Sequence, residues 1–305
     1  MDANVTPILG TVGDLLEDIV VHMQGAVRLT TDTDAVVTRT RGGSAANVAA
    51  MAATIEGRAR FIGKVGDDPI GARLLDDLAA VGVEAIAPRE GRTGSVIVLV
   101  HPDGERTMLT DRATSVALTH PKRRWLDGLH TLHVPAYSLV IEPLATTAAA
   151  LVEWAHDAGV TVSIDASSAA AVDHFGIDAF ERVLTGLAPE LVFCNEAESS
   201  LLGPTLDRLA EQGSLLVVHG PTDATARGRG TTATAPAPTI ANVTDTTGAG
   251  DAFAAGFLCA WAQVHDPERA LAAGHRAAQT HIGGGRPPSG TRSPRRRATE
   301  RPGRR

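Results

Sequence analysis

From residue 131 onward the chain alternates short apolar runs with helical segments, and this alternation limits its possible folds more than any other feature. Thr131 to Val134 precedes a helix over Leu144 to Ala158. Val160 to Ile164 ends at Asp165, with helical segments following through Leu187. Leu191 to Cys194 leads into a helix from Glu196, and Leu215 to His219 ends at Gly220. Apolar runs bounded by helices are parallel strands covered on both faces, each offering a functional loop at its carboxyl end. The closing helices are expected at about Ala249 to Val264 and Pro267 to Ile282.

Upstream, Pro7 to Val12 is a short strand ending in Gly13-Asp14. A helix follows Gly42-Gly43-Ser44, Ala59 to Val65 is a strand, and a helix runs from about Ile70 to Val81. Val96, Val98 and Val100 share one strand face, and the turn residues His101 to Gly104 send Thr107 to Thr110 back as a hairpin. The segments at roughly 15–41 and 92–112 do not fit the parallel scheme and are expected to form a small separate β layer. Aromatics are only 3% of the residues against 43% hydrophobic overall, so Ala, Val, Leu and Ile must build the core. That suits helices packed closely on a sheet.

The net charge of −7 conceals an asymmetry, because residues 286–305 hold eight arginines and one glutamate. The acidic body makes nucleic acid an unlikely partner. The tail has four prolines and no large apolar side chain, so it is expected to be disordered and dispensable for turnover. Cys194 and Cys259 have no metal-ligand spacing and are expected to be reduced thiols. With no signal-peptide pattern and no long apolar stretch, the expected location is the cytoplasm, away from membranes.

The strongest chemical signal is Asp245-Thr246-Thr247-Gly248-Ala249-Gly250-Asp251-Ala252-Phe253. Small residues at a helix start let backbone amides approach an anion, and the helix dipole favours negative charge there. Asp251 then sits where a substrate hydroxyl would meet a terminal phosphate, in the position of a base for phosphoryl transfer. The dipole is expected to lower its pKa. Asn195 and Glu198 are spaced both as a capping pair and as oxygen donors suited to a sparse magnesium site.

This run resembles the C-terminal signature of the PfkB, or ribokinase-like, sugar and nucleoside kinases. Gly42-Gly43-Ser44-Ala45-Ala46-Asn47 resembles the family's di-glycine and Asn segment, and Phe61 to Gly71 resembles the strand and Gly-Asp-Asp-x-x-Gly turn that follow it. The resemblance spans roughly residues 8 to 285. It implies one three-layer α/β/α domain over 1–285 with a mostly parallel central sheet and a small β lid. It implies ATP-dependent phosphorylation of an alcohol group on a small sugar, with a nucleoside or a silent ligand-binding role as alternatives. Asp251 is then the base, beside an anion hole of Gly248, Ala249 and Gly250. Asp18, Asp14, Gly42, Gly43 and Asn47 are implied to bind the acceptor. Asn195, Gly220, Thr246, Gly248, Gly250 and His275 are implied to face the nucleotide. Asn195 and Glu198 would organise Mg2+, and Asp245 with the Thr247 carbonyl would hold a monovalent cation such as K+. Separately, lid strands with free edges are able to pair between two subunits, so a homodimer through the lid is expected. Ser44 and Ala45 lean toward nucleoside kinases, whereas Arg106 or Arg112 could serve an acidic sugar.

The chain departs from the family in having Asp223 three residues after Gly220, His275 in place of Asn, and Ala136 in place of Gly. Asp165 and the remaining histidines carry no metal spacing and are expected to be structural or solvent-facing. Gly57 to Lys64 is not a Walker loop, because its spacing is wrong and Val65 replaces the Ser or Thr. Gly10-Thr11-Val12-Gly13 likewise lacks the dinucleotide fingerprint.

Overall fold

The computed structural model describes residues 7–56, 58–101, 106–228, 230–240 and 246–283. The turn residues Pro102 to Gly104, Asp245 and the basic tail lie outside this set. The N-terminal half contains β1 (Leu9–Val12), β2 (Leu16–Met23), β3 (Ala35–Gly42), α1 (Ser44–Glu56), β4 (Ala59–Ile62), α2 (Pro69–Ala80) and β5 (Val83–Ile86). It continues through β6 (Ser95–Val100) and β7 (Arg106–Asp111). The middle of the chain carries β8 (Thr131–Pro135), α3 (Tyr137–Val140), α4 (Leu144–Asp157), β9 (Thr161–Asp165), α5 (Ala169–Phe175) and α6 (Ile177–Leu187). The last third holds β10 (Leu191–Asn195), α7 (Glu196–Glu211), β11 (Leu215–His219), β12 (Asp223–Gly228), β13 (Thr231–Pro236), α8 (Ala249–Val264) and α9 (Pro267–Gly283).

Nine strands form one sheet in the order β13-β12-β11-β10-β9-β8-β1-β4-β5. Pairing is parallel from β5 through β11, and β12 and β13 add an antiparallel edge. The strands alternate their side chains between two separate cores. Leu191, Phe193, Leu215 and Val217 pack with α1, α2, α8 and α9 on one face. Val192, Cys194 and Leu216 pack with α4, α6 and α7 on the other. A sheet buried on both faces tolerates few polar side chains, which is why these strands are mostly apolar, with single buried exceptions such as His133 and Ser163.

The chain moves from β1 to β4 and β5 on one side, then returns to β8 and proceeds outward on the other. The crevice for a ligand in such a sheet opens where this direction reverses, outside the carboxyl ends of the strands. Asp14 lies just beyond β1, while Asp165, Asn195 and His219 end β9, β10 and β11. The topology therefore collects these polar side chains at one rim.

The segments expected as a β layer form a second sheet, in the order β3-β2-β6-β7. Glu17, only 3% exposed, ties it to the main body by accepting from Arg39 at 2.6 Å and from Arg73 of α2 at 2.7 Å. A buried carboxylate with two guanidinium partners is well compensated, and it would be costly with either one removed. Gly43, where β3 turns into α1, has φ +96° and passes the Asp14 carbonyl too closely for a side chain. The two sheets are thus coupled next to the rim.

β5 and the β12–β13 hairpin were not expected. β5 is a four-residue edge strand in which only Val83 is buried, so it carries no alternation to read. β12 and β13 present Ala224, Ala226, Ala233 and Ala235 to the core, and rows of alanine and threonine look like a loop in sequence. Among the described residues no helix is long and apolar enough to cross a membrane.

Candidate active site

Helix α8 begins at Gly248, which takes φ +78° and offers no side chain to cap the first turn. Apart from the Ala249 amide, which donates to the Thr246 carbonyl at 3.0 Å, the leading amides have no side-chain cap and face the end of the helix where the dipole favours an anion. The helix is held rigidly behind this opening. Phe253 and Phe257 meet Phe193 of β10 edge-on, with centroids 6.5 and 5.1 Å apart. Small residues allow the rest of the packing: a side chain on Gly256 would meet the Ala273 carbonyl of α9 at 2.6 Å.

Asp251 lies in the first turn of α8 and accepts from Ser44 Oγ at 2.7 Å and from Asn47 Nδ2 at 3.0 Å. The two Gly-rich signatures, some 200 residues apart in sequence, thus meet at one carboxylate. Burial pushes the Asp251 pKa above the ordinary range, and the bonds from Ser44 and Asn47, with nearby His281 and Arg41, only partly offset it. The expected lowering by the helix dipole is therefore reversed, because desolvation is the larger effect.

A cleft of about 340 Å3 opens in front of Asp251. Asp165, Asn195, Glu198, His219 and Gly250 line it, and Met108 reaches it from the second sheet. Asn195 caps α7 in a reciprocal box: its Oδ1 accepts from the Glu198 amide, while Glu198 accepts from the Asn195 amide and side chain. The capping role expected of this pair is present, and the same pair borders the cleft. His219 stacks on Phe253 at 5.0 Å, and burial, then neighbouring His275, lowers its pKa to about 4, so it is neutral at pH 7.

Asp165 was expected to be structural, yet it faces this cleft. Burial, followed by the charges of Glu198 and Asp251, pushes its pKa up to about 8. This cluster of oxygen donors lacks compensating positive charge, which fits a hard divalent cation. Asp165, Asn195 and Glu198 would hold Mg2+ largely through water, and the bound ion would neutralise phosphate charge. Among the described residues no group of three or more His, Cys, Asp or Glu side chains is arranged to hold a metal ion directly.

The raised acid has a consequence for stability in the metal-free protein. Its folded pKa exceeds its unfolded value, so its contribution is fully favourable below the ordinary carboxylate range and is lost as pH rises through about 8. The full shift corresponds to roughly 5–6 kcal/mol; solvent access and relaxation reduce this to about 1–3 kcal/mol. Asp165→Asn, assayed by thermal melting in EDTA, should gain several degrees over wild type at pH 8.5 and clearly less at pH 5, where most of the loss has yet to occur. An unchanged difference between the two pH values would show that Asp165 is not so perturbed.

A second recess, about 220 Å3, adjoins Gly248 and is lined by Asp18, Arg41, Asn47, Thr247 and His281. Asp18 lies directly over Gly42, whose missing side chain leaves space for its carboxylate. Asp14 differs from the expectation of a ligand contact. It is 6% exposed, and its oxygens accept from Arg112 Nε at 2.9 Å and Ser115 Oγ at 3.1 Å. Arg112 is thereby committed to Asp14 and also lies over the Tyr137 ring at 4.8 Å, rather than awaiting an acidic sugar.

Gly220 closes a tight turn by donating to the Asp223 carbonyl at 2.9 Å. Thr246 is exposed at the start of the anion loop, and its carbonyl accepts from the Ala249 amide at 3.0 Å. His275 is buried, with Nε2 3.1 Å from the Ala235 carbonyl, edge-on to Phe253. The Thr247 carbonyl, expected to face a monovalent cation, accepts from His281 Nε2 at 2.8 Å. A larger cleft, about 690 Å3 between α1, α8 and α9, contains none of the carboxylates of this rim.

An aspartate at an open helix start, beside further carboxylates and a second recess, suits a phosphotransferase acting on an alcohol group. The sequence profile of the pfkB family carbohydrate kinases matches residues 12–287, and the chain belongs to that family of ATP-dependent enzymes. It is 34% identical to an ATP-dependent ribose-1-phosphate kinase of Halopiger xanaduensis, over 75% of this chain and 76% of that one. It is 33% identical to a fructokinase of Klebsiella pneumoniae, over 78% and 83% of the two chains. In fold it is similar to the adenosine kinase of Sinorhizobium meliloti, with a TM-score of 0.82, 24% identity and coverage of 92% and 94%. It is also similar to a putative ribokinase II of E. coli in complex with ATP and Mg2+, with a TM-score of 0.77, 20% identity and coverage of 91% and 93%.

Proposed function

We propose that the protein transfers the γ-phosphoryl group of ATP to a hydroxyl of a small ribose- or fructose-like sugar, with Asp251 as the base. The observation that carries this reading is the Asp251 carboxylate, fixed by Ser44 and Asn47 at the uncapped start of α8. The acceptor oxygen attacks the γ-phosphorus, its proton passes to Asp251, and the electrons of the breaking P–O bond leave with ADP. Gly248 and Gly250 supply amides for the charge on the moving group, a role in which preorganised donors are most effective, while the Ala249 amide, bonded to the Thr246 carbonyl, holds the shape of the loop. Asp18 and Asn47 hold the sugar hydroxyls. Asn195, Glu198 and Asp165 organise Mg2+, and Gly220, Thr246 and His275 belong to the nucleotide side. Relatives that act on ribose 1-phosphate and fructose support a sugar acceptor, and Arg41 beside Asp18 favours one that carries an anionic group.

The second sheet acts as a lid that excludes water once the acceptor is bound. One of its faces exposes Val37, Ile97 and Leu109, and we place a homodimer contact there. Light scattering should give twice the chain mass, and Val37→Lys should return the monomer. Buried free cysteines suit a reducing cytoplasm.

The direct test is ADP release with ATP and Mg2+ over ribose, ribose 1-phosphate, fructose, ketodeoxygluconate, adenosine and pseudouridine. One sugar should exceed every nucleoside by about tenfold or more in kcat/KM. Turnover with nucleosides alone would transfer the assignment to a nucleoside kinase. ATP binding without ADP release on any acceptor would indicate a silent ligand-binding protein.

A further inference from the structure

Helix α9 touches the anion loop through His281. Its Nε2 lies 2.8 Å from the Thr247 carbonyl and 3.1 Å from where a side chain on Gly248 would begin. A carbonyl only accepts, so the ring nitrogen facing it must carry the hydrogen. His281 lines the recess that holds Asp18, while the cleft in front of Asp251 is lined by Gly248 and not by His281. The imidazole therefore grips the loop from the side of this second recess.

The peptide plane explains why this grip matters. The Thr247 carbonyl and the Gly248 amide belong to one rigid trans unit, in which C=O and N–H point in opposite directions. Fixing the carbonyl toward His281 fixes the Gly248 N–H away from it. Gly248 has φ +78° and no Cβ, so without a restraint this peptide is the easiest in the loop to rotate.

We propose that His281 is a positioning residue for phosphoryl transfer: its Nε2–H holds the Thr247–Gly248 peptide and thereby aims the amides at the start of α8. It restrains the same carbonyl that the family resemblance assigns to a monovalent cation, so this chain orders its anion loop with a side chain and does not depend on K+. The inference rests on reading the start of α8 as the phosphate site.

The test compares wild type, His281→Ala and His281→Gln, each in KCl and in choline chloride, using the best acceptor from the substrate panel. Wild-type kcat should agree within about threefold between the two salts, and its melting temperature should not rise in KCl, as it would if K+ bound the folded state. His281→Ala should lose about 10- to 100-fold in kcat, with ATP and acceptor KM changed by no more than about threefold. His281→Gln presents an amide N–H at a similar reach and should recover most of that loss.

Stronger activation of wild type by K+, a specific melting shift in KCl, or full kcat in a folded His281→Ala protein would each overturn the proposal. So would a folded His281→Gln protein as impaired as the alanine variant. Absence of acceptor-dependent ADP release by wild type would instead sink the phosphotransfer reading itself, so the two failures are distinguishable.

Discussion

Asp251→Asn is expected to reduce kcat by about 10²- to 10⁴-fold, the usual contribution of a general base, while ATP affinity stays within about threefold of wild type. Asparagine preserves the size of the side chain and one acceptor oxygen for Ser44 or Asn47, so the junction between α1 and α8 should survive. What is removed is the capacity to take the proton. The pH profile supplies an independent signature. Burial holds the Asp251 pKa above the ordinary carboxylate range, so kcat/KM of the free enzyme should fall as pH drops through that raised value. The falling acid limb should vanish in the residual activity of the Asn variant. Near-normal turnover in that variant would remove Asp251 from the role, as would an unchanged acid limb.

The frame of this site was legible because its elements are periodic or chemically unusual. The long helices α8 and α9 announced themselves by continuous small and apolar faces, and the Gly248 to Asp251 run has few explanations besides an anion loop. The strands from β8 to β11 were legible because burial on both faces favours short, mostly apolar runs. The antiparallel edge was hidden because β12 and β13 pack through alanines, whose burial leaves no hydrophobic peak.

Asp165 was hidden for a different reason. A single acid after a strand has no partner within reach along the chain, and only the sheet order brings it beside Glu198 and Asp251. His281 lies beyond sequence reasoning in the same way, because its partner is a backbone carbonyl 34 residues upstream. Asp14 shows the reverse case. Its place in the Gly13–Asp18 segment suggested a ligand contact, whereas its carboxylate is buried and accepts from Arg112 and Ser115. Motifs reveal residue types, and the fold decides which of their atoms remain available.

That distinction between Asp14 and Asp18 gives the second large expected effect. Asp18 sits on β2, over Gly42, in the recess shared with Asn47 and Gly248. A carboxylate there can accept from two sugar hydroxyls, and hydrogen bonds to a charged group contribute about 1.5–3 kcal/mol each. Asp18→Ala should therefore lower kcat/KM for the acceptor by about 10²- to 10³-fold, while KM for ATP moves by no more than about threefold. Its melting temperature should change little, since the side chain is only half-buried at the sheet junction. Asp14→Ala should behave in the opposite way. It leaves the Arg112 guanidinium without its buried partner, a change that costs about 3–5 kcal/mol in comparable pairs, so its main signature is a lower melting temperature. If Asp18→Ala raised the ATP and acceptor requirements equally, the recess would not be the sugar site. If both variants lost stability alike, Asp18 would be a second anchor and the acceptor would have to be held from the Asp165 side of the cleft.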